Sequence, residues 1–495
     1  MQRIDQPGIL TLLTHFYGPH GWIWVVALAF AIRIPQMVSP HWFADGDEAI
    51  VGLMATHVLQ GKGFPSFFFG QTYGFSLLES GVAALLLSLG VASTWALKLA
   101  AFFWFNVGLI GWQKWGGTLS SDRTRSLTLG VLLAVTPAWG VWALKARGGY
   151  VTAFGLLPWS LWLLSGSSVR RFFAGILTSI IWFSQPLFLA GWFPWAFWHL
   201  QRERVKSGIL SWILGLVFSI LLIRFIWPID HAYWTPRVFG IPTLETLRAS
   251  LVSLTVGLGG NHSFSEVSRI NIFIPLMAVI SLLLMAGLIL DRMRQMEPEF
   301  ISSPRSVAMV SMIASLAYVP LLTSPSPRYF LPVVVFLGLA LWLNAPRWVI
   351  GSWIVLTLVA TLSLGSHAFM APPLPAGTTE GKAMEDLLAE LRKKDVHGVY
   401  CMDPHLQWQV MYYSQDEFPT RWVEPADRVP EYPMKVDHAL FTGKPVAVVG
   451  FVNGGGYLEW KDHPSFREVG QRYFMVLDPD PETLRSMGFR LNKRE

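Results

Sequence analysis

Three carboxylates in one short stretch, Asp45-Gly46-Asp47-Glu48, follow the first hydrophobic run of the chain. Asp45 and Glu48 form a capping-box pattern, in which each side chain accepts a hydrogen bond from a backbone amide at the start of a helix. An ordinary helix start therefore explains these two acids. Asp47 is left over in the first helical turn, where the positive helix end favours an ionised carboxylate. We predict Asp47 as a general base, with Asp45 and Glu48 as further catalytic candidates.

Two cationic motifs have the chemistry to hold a phosphate. Arg328 and Tyr329 open a late apolar run, and an arginine can bind a phosphate through two parallel hydrogen bonds at the depth of lipid headgroups. An ordinary membrane anchor is an equal alternative for this motif. Lys145 and Arg147 precede the glycine pair Gly148-Gly149. That pair permits close backbone approach to a ligand, and the alternative is a short turn between helices. We predict Arg328, Tyr329, Lys145 and Arg147 as phosphate contacts.

A polar stretch between Phe69 and Glu79 offers amide, hydroxyl and aromatic groups suited to a sugar. We predict Gln71, Tyr73 and Glu79 as sugar or acceptor contacts. A carboxylate beside two cationic motifs matches what transfer from a lipid phosphate requires. The base activates an acceptor hydroxyl, and fixed positive charge stabilises the departing phosphate.

The composition places these motifs in a membrane protein. The chain is 52% apolar and only 14% charged, whereas soluble domains carry roughly 25% charged residues. Of its 38 basic and 32 acidic residues, 34 fall in the last 120 positions, so a membrane part precedes a soluble part. The net charge of +6 is spread over loops and is not interleaved with stacking aromatic residues, which argues against nucleic-acid binding. Cys401 is the only cysteine, which excludes an internal disulfide and a cysteine-based metal site.

Eleven apolar runs are suitable as membrane spans, and the first is long enough to cross most of a hydrocarbon core of ~30 Å. The basic linkers between them are cytoplasmic under the positive-inside rule, so the N-terminus lies inside and the C-terminus outside. The shorter run Ser76–Gly90 contains Glu79 and is predicted to lie at the membrane interface. The eleven runs lie near residues 20–38, 95–112, 126–144, 151–165, 172–200 (two helices divided at Ser184-Gln185-Pro186), 208–227, 271–290, 305–323, 329–344 and 348–365.

A Pro-rich linker, Ala371–Pro375, separates two predicted domains. Residues 1–370 are predicted to form an α-helical polytopic membrane domain. Residues 376–495 are predicted to form a soluble α/β domain on the outer face, because short apolar strands alternate there with helical patterns. Its predicted elements are a helix at 380–394, a strand at 397–402, a helix at 405–413, a strand at 445–452 and a strand at 467–477.

The motifs resemble those of the membrane-embedded GT-C glycosyltransferases that use polyprenyl-phosphate sugars, in the branch of the protein mannosyltransferases and the aminoarabinose transferase of lipid A. Asp47-Glu48 matches the acidic pair of the first outer loop, where the family has its catalytic base. Arg328-Tyr329 with Pro332 matches the start of a late span. The family's His-Pro-Pro or Lys-Pro-Pro is replaced by Phe69-Gly70-Gln71, which leaves the sugar and the acceptor open.

The residues and the resemblance together predict an inverting glycosyltransferase of the bacterial inner membrane. It would move a sugar from a polyprenyl-phosphate donor to a glycan, lipid or protein acceptor on the periplasmic side. No cofactor is predicted, and assistance by a divalent metal ion is left open. One alternative is a lipid-linked sugar transporter or flippase, which predicts internal repeats that the sequence does not display. Another is a non-catalytic subunit of envelope glycan assembly, in which Asp47 would be dispensable.

The side of the membrane on which the C-terminus lies can be tested with a phosphatase reporter that is active only outside the cytoplasm. Fused after Glu495, the reporter should be active, because the basic linkers retain the opposite side in the cytoplasm. Fused after Arg202, in one of those basic linkers, it should be inactive. An inactive reporter after Glu495 would show that one of the spans is miscounted.

Overall fold

The structure is a computed structural model. It describes residues 20–69, 71, 74–120, 122–202, 206–227, 240–258, 273–294, 303–322, 325–365, 377–423, 429–452 and 454–491. Two predicted features lie outside these ranges, namely the candidate sugar contact Tyr73 and the Pro-rich linker Ala371–Pro375.

The described part of the chain up to Gly365 is helical. In chain order the helices are α1 (Gly21–Ala31), α2 (Ile34–Met37), α3 (Gly46–Leu59), α4 (Leu77–Ser88), α5 (Ser93–Leu119), α6 (Arg123–Ala134), α7 (Pro137–Trp142), α8 (Tyr150–Leu164), α9 (Ser168–Ser184), α10 (Leu187–Arg202), α11 (Lys206–Ile226), α12 (Leu244–Leu258), α13 (Phe273–Arg294), α14 (Pro304–Leu316), α15 (Leu331–Asn344) and α16 (Arg347–Gly365), with 3-10 turns at Val319–Leu321 and Pro327–Phe330.

Every predicted apolar run coincides with one of these helices, or with two where the run is broken. Helix α12 was not predicted. The predicted break at Gln185-Pro186 is confirmed, since α9 ends just before it and α10 begins just after it. Helix α4 confirms the helix predicted within Ser76–Gly90, whose position at the membrane interface stays a prediction. Among the described residues, four helical stretches are long and apolar enough to cross a membrane, namely Ser93–Leu119, Gly208–Ile226, Pro304–Leu321 and Pro327–Asn344. A multi-pass protein fits these helices, and the count of eleven spans stays a prediction.

Two runs that were predicted as continuous helices are broken, and the side chain of Arg33 contacts both breaks. The first run divides between α1 and α2, and another divides before Pro137, which cannot donate a backbone hydrogen bond. The fully buried guanidinium of Arg33 donates to the carbonyls of Ala29 at 2.7 Å, Ala134 at 3.3 Å and Trp139 at 3.0 Å. One side chain therefore satisfies carbonyls at both breaks, which a buried backbone requires.

The C-terminal part forms a mixed sheet with helices on its faces. Its strand order is β2-β1-β3-β5-β4, where β2, β1 and β3 are parallel and β5 is antiparallel to both of its neighbours. The predicted α/β pattern is confirmed, except that the strand predicted at 467–477 is a hairpin of two strands. The elements are α17 (Glu380–Lys393), β1 (Gly398–Cys401), α18 (Pro404–Tyr413), β2 (Thr420–Arg421), α19 (Glu431–Phe441), β3 (Val446–Phe451), α20 (Tyr457–Trp460), β4 (Arg467–Val469), β5 (Tyr473–Leu477) and α21 (Pro481–Ser486).

Helix α18 of the C-terminal sheet packs along the acidic helix α3. Two glycines make this close approach possible, because a Cβ built on Gly46 would come 2.5 Å from the Cα of His405, and one built on Gly52 would come 2.6 Å from Tyr412 Cζ. The Tyr412 hydroxyl donates to the Ser93 carbonyl at 2.8 Å. The two helices are thus in direct backbone contact at one end and in ring-to-backbone contact further along.

Polar and aromatic contacts fix the same interface around the start of α3. The Tyr413 hydroxyl accepts from the Ala44 amide at 2.9 Å, and the Gln409 amide group donates to the Ala44 carbonyl at 2.9 Å. The Phe43 ring stacks on Tyr413 with centroids 4.3 Å apart and joins the apolar core of the sheet. At the other end of α3, Lys62 forms an ion pair of 2.5 Å with Asp416. The C-terminal sheet therefore holds the acidic helix at both ends.

Replacing Gly52 by alanine tests this packing. The new methyl group must displace the Tyr412 ring, so Gly52→Ala should destabilise the purified protein by ~1–3 kcal/mol and lower its melting temperature. Gly81→Ala is the matched control, because that helical glycine has nothing within 4 Å of a built Cβ, and alanine favours a helix by up to ~1 kcal/mol. Thermal unfolding in detergent, followed by tryptophan fluorescence, measures both. Equal melting temperatures for the two variants would contradict the close α3–α18 contact.

Candidate active site

The acidic helix α3 begins as the sequence predicts. Asp45 is the N-cap, its carboxylate accepts from the Glu48 amide at 3.0 Å, and the Glu48 carboxylate accepts from the Asp45 amide at 3.1 Å. The capping box is therefore confirmed. Asp47 lies in the first turn, outside the capping box, with 16% of its side chain exposed. Its carboxylate is partly accessible.

The segment between α7 and α8 brings two cations to this helix start. The glycine pair before α8 adopts φ angles of 62° and 81°, which glycine tolerates without strain. Arg147 donates to Asp47 Oδ2 from Nε at 2.7 Å and also from Nη2, and its Nη1 lies 3.4 Å from Asp45 Oδ2. Lys145 Nζ donates to Asp45 Oδ2 at 2.8 Å. Each aspartate therefore has a buried cation of this segment as a partner.

Arg328 reaches the same carboxylate from a late part of the chain. It lies in the 3-10 turn that opens α15, with Nη1 3.8 Å from Asp47 Oδ2. The Tyr329 ring lies beside the guanidinium, its centroid 5.4 Å from Cζ, and the Tyr329 carbonyl accepts a hydrogen bond from Tyr318. Three motifs that lie far apart in the sequence therefore meet at Asp47.

The charges of this cluster determine which groups are ionised. Burial by itself would raise the pKa of Asp47, but the guanidinium of Arg147 holds this pKa at about 2. Smaller contributions of the same sign come from His405 and Arg328. Burial likewise opposes ionisation of Asp45, yet the cations of the 143–149 segment hold its pKa well below the usual range. Both carboxylates are ionised at neutral pH, and with three cations around two aspartates the cluster suits a further anion.

Glu48, the third predicted catalytic acid, is in a different environment. Its carboxylate is fully buried and accepts from Lys98 Nζ at 2.7 Å through each of its oxygens. The lysine is equally buried and lies 5.7 Å from the ring of Trp42. Because neither partner is exposed, this pair joins α3 to α5, and a structural role for Glu48 is favoured over proton transfer.

Two of the three predicted sugar contacts, Gln71 and Glu79, lie in the described part of the chain. Gln71 is half-buried, and its backbone amide donates to the Phe68 carbonyl at 3.0 Å. Glu79 is fully buried, where Thr152 donates to its Oε1 at 3.1 Å. In the described part of the chain neither Gln71 nor Glu79 bonds to an aspartate of the cluster, and Tyr73 is outside that part. These three residues stay predictions.

Two residues near the cluster were missed by the sequence reasoning. Lys98 lies inside an apolar run, and a lysine there is unusual enough to indicate a buried acidic partner. His405 carries no comparable signal, because its place beside Asp47 depends on the docking of two helices that are distant in the chain.

The cluster combines an accessible carboxylate, which can accept a proton, with fixed positive charge, which can bind an anion beside it. Arg147 and Arg328 could both contact a phosphate without leaving Asp47, since each guanidinium has several donors. Within the described ranges, no group of three or more His, Cys, Asp and Glu side chains gathers as metal ligands.

Comparison with known proteins identifies the fold. The sequence matches no family profile and no curated protein. Among solved structures, ArnT from Cupriavidus metallidurans bound to undecaprenyl phosphate is 13% identical over 94% of this chain and 99% of its own, with a TM-score of 0.63. The same protein in the apo state is 12% identical with the same coverage and a TM-score of 0.51. The arabinofuranosyltransferase AftD from Mycobacteria is 15% identical over 88% of this chain and 35% of its own, with a TM-score of 0.44. The likeness to ArnT shows the GT-C fold and confirms that prediction.

The buried Glu48–Lys98 pair can be tested by removing its partners in turn. Lys98→Met strands an unpaired carboxylate in the interior, which should cost ~3–5 kcal/mol and lower both the melting temperature and the yield of monodisperse protein. Adding Glu48→Gln removes the stranded charge, while the glutamine still accepts from the Asp45 amide in the capping box. The double variant should therefore recover most of the lost stability. A Lys98→Met protein as stable as the wild type would show that Glu48 has another partner.

Proposed function

We propose that this chain is an inverting glycosyltransferase that moves a sugar from a polyprenyl-phosphate donor to a hydroxyl-bearing acceptor. The observation that carries the proposal is the contact of Asp47 with Arg147 and Arg328, two cations from distant segments. A transfer from a lipid phosphate needs such a base directly beside an anion site. The GT-C fold supports the same conclusion, and the solved complex of ArnT with undecaprenyl phosphate supports a donor of this chemical class.

In the proposed reaction, Asp47 accepts the proton of the acceptor hydroxyl as that oxygen attacks the anomeric carbon of the sugar. The bond between this carbon and the phosphate oxygen breaks, and the polyprenyl phosphate leaves with the electron pair. Charge develops on the leaving phosphate, where Arg147 and Arg328 supply charge-assisted hydrogen bonds. Attack opposite to the leaving group inverts the configuration at the anomeric carbon.

The pairing of Asp47 also bears on its strength as a base. A carboxylate with a pKa of about 2 is a weak base as long as Arg147 is its close partner. A donor phosphate at the same guanidinium groups brings negative charge next to Asp47, which disfavours the ionised carboxylate and raises its pKa. Donor binding would thus activate the base for the acceptor.

The remaining cluster residues receive supporting roles in this proposal. Asp45 caps α3 and, through its contacts with Lys145 and Arg147, keeps both cations next to Asp47. Tyr329 lies against the guanidinium of Arg328 and limits its position. Lys145 is a further phosphate contact.

We place the reaction on the periplasmic face of the bacterial inner membrane. The positive-inside bias of the linkers supports a cytoplasmic N-terminus and a periplasmic C-terminal domain of residues 376–495. The donor is then a membrane lipid, and the acceptor is a glycan, lipid or protein of the cell envelope.

The Asp47→Asn variant tests the reaction itself. Asparagine keeps the size and hydrogen bonding of the side chain but cannot accept the proton, so transfer should slow by ~10²–10⁴-fold while the protein stays folded. In cells that lack the wild-type gene, the envelope glycan should lose one sugar and the lipid-linked sugar should accumulate. Mass spectrometry of envelope glycans and of extracted lipids measures both.

Asp45→Asn is the comparison variant, because asparagine caps a helix about as well as aspartate. It loses one charge partner of the cations but keeps the base, so it should retain more transfer than Asp47→Asn. An Asp47→Asn variant that restores the complete glycan would remove the main support for a transferase. Loss of activity in Asp45→Asn alone would reverse the roles of the two acids.

A further inference from the structure

Three arginines meet at the end of the helical bundle that lies opposite the aspartate cluster. They are Arg125 of α6, Arg305 of α14 and Arg347 of α16. Helix α15 begins directly after the turn that carries Arg328 and ends at Asn344, and its 14 residues span ~21 Å. Because Arg125 bonds to the last turn of α15, the three arginines lie about one helix length from the proposed donor site. The proposed reaction does not involve them.

Arg125 is held in place by the end of α15. Its Nη2 donates to the carbonyls of Trp342 and Leu343, each at 3.1 Å, and the Trp342 indole donates to the Arg125 carbonyl at 2.6 Å. The Trp342 ring centroid lies 5.6 Å from the Arg125 Cζ. Within the described ranges these side-chain bonds use only Nη2, so the other donors of the guanidinium can serve a ligand.

The other two arginines approach the same place from neighbouring helices. The Arg305 carbonyl accepts from the Asn344 side chain at 3.3 Å, at the end of α15. Arg347 begins α16 soon after Asn344, and its Nη2 lies 3.0 Å from Asp122 Oδ2. Asp122 is also the N-cap of α6, where its carboxylate accepts from the Arg125 amide at 3.4 Å. Contacts with the end of α15 and the start of α6 therefore bring the three arginines together.

This arginine cluster (Arg125, Arg305 and Arg347) has an excess of positive charge. In the described part of the chain, Asp122 is the only carboxylate that forms an ion pair with any of the three. Burial lowers the pKa of Arg125, and the charges of Arg305 and Arg347 lower it further, as expected for like charges close together. Each arginine also lies in the first turn of its helix, where the positive helix end disfavours a cation. An anion bound between the arginines would relieve this repulsion.

The surroundings of the arginine cluster favour a lipid over a free anion. Trp348 follows Arg347 and is 73% exposed. Further along α16, Val355, Val359 and Leu362 are also exposed, and their spacing places them on the same helix face as Trp348. An apolar stripe thus runs from the cluster along the helix, where it can contact acyl chains. An exposed tryptophan at the start of a membrane helix is typical of the headgroup level.

We propose that the arginine cluster binds the phosphate headgroup of an anionic phospholipid whose acyl chains lie along the exposed face of α16. Arg125 donates charge-assisted hydrogen bonds from a fixed position, and Arg305 and Arg347 add further donors around the phosphate. Basic pockets between membrane helices on the cytoplasmic side bind such lipids, and the positive-inside rule places this end of the bundle there. The site goes beyond the proposed transferase and does not depend on it. A bound lipid holds the end of α15, whose start lies beside Arg328.

The lipid affinity of the purified protein tests this site. Phosphatidylglycerol and phosphatidylcholine are titrated separately in detergent micelles, and bound lipid is counted by native mass spectrometry. The wild type should bind phosphatidylglycerol ~10-fold or more tightly than phosphatidylcholine. Arg305→Gln/Arg347→Gln should lose ~10-fold or more of the phosphatidylglycerol affinity, because the phosphate loses charge-assisted hydrogen bonds. Its affinity for phosphatidylcholine should stay within about twofold of the wild type.

Three further variants separate the headgroup contact from other effects. Arg305→Lys/Arg347→Lys keeps the charge and should retain part of the phosphatidylglycerol affinity. Arg347→Gln alone should weaken this affinity by about fivefold. It gives a second route if the double variant does not fold, because the Arg347 side chain is 90% exposed. Lys444→Gln/Lys461→Gln is the matched control, since it removes the same charge from two exposed lysines of the C-terminal part and should change neither affinity.

Unchanged phosphatidylglycerol affinity in both Arg305→Gln/Arg347→Gln and Arg347→Gln would overturn the proposal. An equal loss in Lys444→Gln/Lys461→Gln would also overturn it, because the effect would then follow net charge and not the cluster. Inorganic phosphate should not displace phosphatidylglycerol at equal concentration. Displacement would show that the arginines bind a free anion and not a lipid. None of these measurements involves glycan transfer, so failure of the proposed transferase would leave the lipid site standing.

Discussion

The ion pair between Asp47 and Arg147 is the contact on which the rest of the site depends. A largely buried guanidinium requires hydrogen-bond acceptors, and for Arg147 the carboxylate of Asp47 supplies them, which joins the start of α3 to the segment before α8. Three other features lie around the same ion pair, namely the glycine pair of that segment, the helix cap at Asp45 and the guanidinium of Arg328. The cluster holds a carboxylate ionised while leaving an excess of positive charge for an anionic ligand. The proposed base and the proposed anion site thus consist of the same few side chains, and a bound phosphate would change the strength of the base.

The acidic helix α3 is packed between α5 on one side and α18 on the other. On one side, Glu48 and Lys98 form a fully buried pair with α5. On the other side, α18 packs against α3 at Gly46 and Gly52. Such a helix cannot move independently of its neighbours, so the carboxylate that it carries is fixed relative to both the membrane helices and the C-terminal sheet. The precision that the proposed catalysis requires would therefore be supplied by packing outside the site itself.

A buried polar side chain also stabilises the helices of the first part of the chain. In the described part of the chain Arg33 forms no ion pair with a carboxylate, and its guanidinium bonds instead to three backbone carbonyls at two helix breaks. Its ring neighbour Phe105 lies 4.6 Å from the guanidinium, which adds a cation–π contact. The break before Pro137 lies upstream of the segment that carries Lys145 and Arg147. The helix break that Arg33 stabilises therefore determines where α7 begins, and α7 leads directly into the cationic segment.

The sequence by itself determined the local features of this protein. Apolar runs, the break at Gln185-Pro186, the capping box at Asp45 and most of the α/β elements follow from patterns within a few residues, where periodicity, proline and capping act directly. The tertiary structure decided what depends on distant contacts. The helix breaks at Arg33 and Pro137 are stabilised by one guanidinium, which bonds to carbonyls at both. Glu48 is buried as an ion pair because Lys98 lies opposite it. His405 lies near Asp47 because two glycines let α18 approach α3. A single sequence carries no record of which side chains meet, because their meeting is decided by packing of the whole chain.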